Sequence, residues 1–301
     1  MEKGSHAYVA DDRNDKVLIY VNGEFYPRSE ASISVFDSGF ILGDGIWEGF
    51  RVQKGRILYI EQHLRRLYQG AKTLQIDIGL TKQEMEKLLY RTLEVNHMES
   101  DVHIRLMVTR GMKRTPGQDP RLNYGPATIV IMAEYKKAEP ELKKRGIRLV
   151  TAATRRGQPD VLDHKINSHN KINCILANIE ANRANADEAL MLDINGFVST
   201  CNSTHFFMVV DNAVHTSTGK YCLNGITRGN FIRLCKENSI EVYERDFSLF
   251  DVYGADEAFV TGTFASLIPV VEVDGRKIGD GKPGPMASRL LRLYQAEIDR
   301  G

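Results

Sequence analysis

The spacing of hydrophobic and polar positions changes period several times along the chain, and each change predicts an element. Residues 17–26 alternate about Asn22-Gly23, a dipeptide suited to a tight hairpin turn. Residues 46–52 and 57–60 read as strands on either side of Gln53-Lys54-Gly55. From Glu61 to about Leu74 the period becomes helical, with Leu64, Leu67, Tyr68 and Ala71 on one face. Thr81 and Glu84 form a capping-box pattern that opens a second helix running to about Val95. Residues 102–110 and 128–133 are apolar enough for buried strands.

Residues 136–146 are charged, contain Pro140 and Gly146, and predict a linker between an N-terminal α+β domain (1–135) and a C-terminal domain (147–301). The C-terminal half predicts strands at 147–153, 189–192, 197–200, 206–210, 240–243, 258–261 and 270–273. Its helices are expected at 170–185, 227–238 and 285–298. In the first of these, Ile172, Ile175, Leu176 and Ile179 are expected to face inward. Strands and helices segregate rather than alternate, which points to the α+β class.

Composition narrows the function classes. The chain has 301 residues, 42% hydrophobic and 26% charged, with a net charge of +1. That balance argues against a nucleic-acid partner or an anionic membrane surface. No apolar run approaches the roughly 20 residues of a membrane span, and the polar N-terminus lacks a secretory core. The cysteines Cys174, Cys201, Cys222 and Cys235 show no C-x-x-C spacing. Reduced thiols in a cytoplasmic protein, and no metal site, are the expectation.

Three elements have anion-binding chemistry. Gly225-Ile226-Thr227 opens a helix, where unpaired amide N–H groups and the macrodipole favour negative charge. Thr261-Gly262-Thr263 ends a strand with small residues that let backbone donors approach. Arg66 lies on the first helix and carries a fork suited to phosphate. Lys165 sits in a polar loop before a helix, with Lys171 as its rival, and a lysine can bond a carbonyl carbon.

These segments match a family pattern. Gly43-Asp44-Gly45-Ile46-Trp47-Glu48 resembles the Gly-Asp-Gly-x-Tyr-Glu segment of the fold-type IV pyridoxal 5'-phosphate enzymes, the branched-chain and D-amino-acid aminotransferases. Glu61 to Leu67 resembles their Glu-His-x-x-Arg-Leu segment, and Gly225-Ile226-Thr227-Arg228 their phosphate cup. Val260 to Thr263, followed by Ile268-Pro269-Val270, resembles their second phosphate turn. The resemblance implies a smaller N-terminal domain and a larger C-terminal domain with a barrel-like sheet. It implies that Arg66, Gly225, Ile226, Thr227, Gly262 and Thr263 hold the phosphate, that Leu223 packs on the ring, and that Lys165 (or Lys171) holds the cofactor as an internal aldimine. It also implies a homodimer whose sites lie at the domain interface and borrow residues from the partner.

The sequence departs from that pattern at named places. Thr200 stands where the family has a glutamate against the pyridine nitrogen, and His205 where it has an asparagine. A hydroxyl supplies no charge to hold that nitrogen protonated. Thr115 and Gly117 fall where D-amino-acid aminotransferases carry an Arg-x-His carboxylate trap, which leaves Lys113, Arg114 or Arg51 as carboxylate partners. Trp47 replaces a substrate-side tyrosine. The resemblance therefore implies a transaminase acting on an amino donor and a 2-keto acid. A lyase of the same fold, like the aminodeoxychorismate lyases, and a degenerate binding protein are the alternatives that the missing glutamate opens.

Overall fold

The computed structural model describes residues 4–300; residues 1–3 and 301, at the outer ends of the two expected domains, lie outside them. The described chain divides into two compact units. One comprises residues 9–137 and 166–171, the other residues 4–8, 138–165 and 172–300.

The first unit is built on an antiparallel sheet of six strands. They are β1 (Leu18–Val21), β2 (Glu24–Pro27), β3 (Gly45–Gln53), β4 (Arg56–Ile57), β5 (Val102–Thr109) and β6 (Thr128–Tyr135), in the order β2-β1-β6-β5-β3-β4. Asn22 and Gly23 both adopt positive φ between β1 and β2, as the hairpin dipeptide requires. Helix α1 (Ile60–Leu74) buries Leu64, Leu67 and Ala71, the expected face. Helix α2 (Lys82–Val95) is held at its start by both bonds of the Thr81–Glu84 capping box. Leu64, Leu67, Met85 and Leu89 join Phe50, Ile104 and Leu106 in one core. Burying each large aliphatic side chain contributes about 1.5–3 kcal/mol. The strand expected at 57–60 stops at Ile57, because Ile60 already begins α1.

The second unit holds the larger sheet, a half barrel. Its strands are β7 (Ile147–Thr151), β8 (Glu188–Leu192), β9 (Val198–Cys201), β10 (His205–Val210), β11 (Ala213–Thr216), β12 (Val242–Glu244), β13 (Glu257–Gly262), β14 (Ser266–Val273) and β15 (Arg276–Lys277). The order is β9-β8-β7-β14-β13-β10-β11-β12, with β15 on β14. β7 runs parallel to β8 and to β14, and β11 parallel to β12; the other pairs are antiparallel. The charged segment 136–146, expected as a linker, forms helix α3 (Pro140–Arg145) and buries Leu142.

Helix α4 (Ile172–Arg183) overturns one expectation. Its inward face is Ala177 and Ala181, both fully buried, whereas Ile172, Ile175, Leu176 and Ile179 are exposed. Small residues let this helix lie close on the sheet, and the i, i+3, i+4, i+7 stripe points to solvent. Helix α5 (Ile226–Glu237) is anchored by a stack of Phe231 on Tyr294 of α7 (Pro285–Arg300), with ring centroids 4.8 Å apart. A short helix, α6 (Leu249–Tyr253), precedes β13. No helix among the described residues is long and apolar enough to cross a membrane.

Candidate active site

Helix α5 begins at Ile226 with Gly225 as its N-cap. No side chain caps it and no acid lies in its first turn, so its leading N–H groups stay available to an anion. Gly225 is a glycine for a local reason: a Cβ there would overlap the His205 imidazole. Thr227 is buried within the first turn. His205 pairs in register with Thr261 on β13, whose hydroxyl is buried and has no hydrogen-bond partner. Gly262 and Thr263 follow, and a Cβ at Gly262 would lie 3.4 Å from the Thr204 methyl. Leu223, on the approach to the helix, is half-buried.

Thr200 is 3% exposed, and its hydroxyl donates to the Thr204 carbonyl at 2.8 Å. The turn it spans is braced from below by Glu188, which sequence reasoning missed. Glu188 Oε1 accepts from Ser203 N at 2.9 Å and Ser203 Oγ at 2.6 Å, and its Oε2 from Thr204 Oγ1 at 2.9 Å. Burial raises the Glu188 pKa and these donors oppose the rise. Its contribution came from a strand remote in sequence, so no local motif signalled it. Arg156 was missed likewise: a buried guanidinium donating to Asn173 Oδ1 at 3.0 Å.

The two lysines differ in setting. Lys165 is exposed, with its backbone N–H on the Asp163 carboxylate at 2.9 Å. Its ammonium makes no hydrogen bond or ion pair with the described residues. The chain then runs along β3. Trp47 N donates to Asn167 O at 2.9 Å and His169 N to Gly45 O at 2.9 Å. His169 Nε2 donates to the Ile46 carbonyl at 3.1 Å. Asn167, buried in this strap beside Ser168, puts Nδ2 on the Trp47 carbonyl at 2.7 Å and leaves Oδ1 without a partner. The Lys171 ammonium lies 5.4 Å from the Trp47 ring centroid.

Arg66 places Nε on Glu48 Oε1 and Nη2 on Glu48 Oε2, each at 2.7 Å. His63 Nδ1 meets the same carboxylate at 2.7 Å. Burial alone would raise the Glu48 pKa, but Arg66 and His63 outweigh it and the pKa is lowered. Burial lowers the His63 pKa despite Glu48, so the imidazole is neutral and donates to the carboxylate.

The substrate-side candidates are partly committed elsewhere. The Trp47 indole N–H is spent on Ser168 O at 3.0 Å, and Arg105 lies over its ring at 3.8 Å. Lys113 is 1% exposed and donates to Asn123 Oδ1 at 2.9 Å and Asp119 O at 3.2 Å, tying its own loop together. Arg114 is exposed and lies 5.3 Å from the Tyr124 ring centroid. Arg51 is half-buried on β3.

A pyridoxal 5'-phosphate group suits the second unit on chemical grounds. The seat offers free backbone donors, a buried unpartnered Thr261 hydroxyl and a glycine N-cap, with no carboxylate in the helix's first turn.

Residues 45–273 match the family model for class IV aminotransferases. A branched-chain-amino-acid aminotransferase-like protein 2 of Arabidopsis thaliana is 44% identical over 286 residues, covering 95% of this chain and 51% of the relative. The chain thus spans about half the length of that protein. A putative branched-chain-amino-acid aminotransferase of Methanocaldococcus jannaschii is 43% identical over 278 residues, covering 92% of this chain and 95% of the relative. The crystal structure of a T.th. branched-chain amino acid aminotransferase complexed with N-(5'-phosphopyridoxyl)-L-glutamate superposes with a TM-score of 0.85 at 33% identity, covering 93% of each chain.

Proposed function

The chain belongs to the class IV aminotransferases, and from that premise we propose that it moves an amino group between an amino acid or amine and a 2-keto acid, using pyridoxal 5'-phosphate. The observation that carries this reading is the acid-free start of α5, set beside the unpartnered Thr261 hydroxyl. When bound, the cofactor supplies an aldehyde that accepts the amino group and an electron-poor ring that spreads charge left on the substrate.

The remaining work falls to this chain's residues. Ile226 and Thr227 N–H groups, the Thr227 hydroxyl and the 262–263 turn bind the phosphate. Arg66 is a further phosphate ligand by family resemblance. Leu223 packs against the ring and keeps water from it. Lys165 would hold the aldehyde end of the cofactor and, as a free amine, would move the proton at the substrate Cα. Lys171 is the alternative lysine. Trp47 supplies apolar bulk to the substrate, and Arg51 or Arg114 the positive charge for its carboxylate. The relatives' names make branched-chain L-amino acids the first donors to try.

A homodimer fits the exposed apolar stripe of α4, since Ile172, Ile175, Leu176 and Ile179 are 40–64% exposed.

The test is borohydride reduction of the cofactor-loaded chain followed by peptide mapping. A pyridoxyl group on Lys165 supports the assignment; one on Lys171 moves it. Addition of L-leucine should convert the yellow form to the pyridoxamine form. A chain that stays colourless with excess pyridoxal 5'-phosphate overturns the reading, and release of a fragment without a keto-acid acceptor makes it a lyase.

A further inference from the structure

Arg156 is an unusual cation. It is 7% exposed, and no carboxylate among the described residues pairs with it. Nη1 donates to Asn173 Oδ1 at 3.0 Å and lies 3.3 Å from His164 Nδ1, which must accept because a guanidinium only donates. Nε is buried without a hydrogen-bond partner. A buried charge with neither counter-ion nor full hydrogen bonding is costly. An unfilled donor on such a group points to an acceptor that arrives with a ligand.

Its surroundings identify that ligand. Arg156 N donates to Leu192 O at 2.9 Å and the residue bridges Asp193, so it flanks the end of β8. On the other side of β8, Thr200 of β9 pairs with Met191, next to Leu192, which brings Arg156 to the neighbourhood of Thr200, the residue assigned above to the nitrogen end of the ring. The Arg156 charge also opposes the burial-driven rise of the Cys201 and Cys222 thiols, which adjoin Thr200 and Leu223. Ser217 Oγ donates to Ser199 O at 2.6 Å, which ties residue 217 to β9. Thr200 gives its only hydrogen to Thr204 and carries no charge. Glu188 is engaged with the 203–204 turn, and Asp193 Oδ1 accepts from the backbone N–H groups of Asn195 and Phe197. Lys165 and Arg228 add further positive charge at Cys222.

We propose that Arg156 sets the charge at the nitrogen end of the ring and holds the pyridine nitrogen of bound pyridoxal 5'-phosphate neutral, as a hydrogen-bond acceptor. A neighbouring cation disfavours a second positive charge, and a donor aimed at a lone pair stabilises the free base. The inference rests on the cofactor reading above and specifies how this chain does without a carboxylate at position 200. It makes Arg156 a cofactor-binding residue with an electrostatic task.

The experiment uses the full chain loaded with pyridoxal 5'-phosphate labelled with nitrogen-15 in the ring. The wild-type resonance is expected at the downfield position of a free-base pyridine throughout the neutral pH range. Arg156→Lys should keep it there. Arg156→Met should let it move upfield as the pH is lowered. Asn173→Asp places a carboxylate on the guanidinium without changing side-chain shape, and should shift the resonance the same way even if Arg156→Met does not fold. A pyridinium resonance in the wild type, or an Asn173→Asp resonance identical to wild type, overturns the proposal. Failure of the wild type to take up cofactor appears first as a missing absorption band, and overturns the transaminase reading together with this one.

Discussion

Arg66 and Glu48 form a two-pronged ion pair in which the carboxylate has no solvent exposure and the guanidinium little. Such a pair is unforgiving when halved, because the remaining charge stays in the interior. Arg66→Met is expected to destabilise the chain by about 3–5 kcal/mol in urea unfolding. It should also weaken cofactor binding if Arg66 grips the phosphate. Unchanged affinity for pyridoxal 5'-phosphate in a folded Arg66→Met chain would restrict Arg66 to holding Glu48.

His63 gives stability a pH dependence with a definite sign. Its folded pKa is lowered from the ordinary 6.5 by burial. The unfolded chain therefore binds the proton first, and stability falls as pH drops below 6.5 toward the folded value. Urea midpoints measured from neutral to mildly acid pH should show this loss. His63→Gln should be less stable at neutral pH yet lack that part of the slope. Parallel slopes in the two proteins would remove His63 as the cause.

Gly225→Ala drives a methyl into the His205 ring. Overpacking of this kind costs about 1–3 kcal/mol and displaces the start of α5. Fluorescence titration should show weaker binding of pyridoxal 5'-phosphate, with a smaller change for unphosphorylated pyridoxal. An equal loss for both would argue that the seat does not read phosphate.

Thr200→Glu supplies the missing carboxylate. The ring-nitrogen resonance should move upfield and the first half-reaction should quicken, because a protonated ring is the stronger electron sink. Spectra and rates equal to wild type would count against the assignment of Thr200 to the ring nitrogen.

The stripe on α4 yields an assembly prediction. Ile175→Lys combined with Ile179→Lys should give a smaller species in sedimentation velocity. If the wild type sediments as a monomer, the stripe does not pair copies of this chain.

What the sequence made legible was largely local. The Asn22-Gly23 turn and the Thr81–Glu84 box are decided by backbone chemistry within four residues, and both form as expected. The start of α5 was legible for the same reason. The inward face of α4 was not: a helical period of Ile172, Ile175, Leu176 and Ile179 reveals an apolar side without saying what covers it. Ala177 and Ala181 fill the close approach to the sheet instead. Arg156 and Glu188 were invisible because their partners lie 8–17 and 15–16 positions away and are set by strand order. Strand β11 was missed because its four residues, Ala213–Thr216, are too short to establish a period.

The meeting of His205 with Gly225 has an evolutionary corollary. Two positions 20 apart in sequence share one small volume, so neither can change size alone. Among homologues, a bulkier residue at the second should occur with a slimmer one at the first, and an alignment deep enough to score paired substitutions would show these two sites drifting in step.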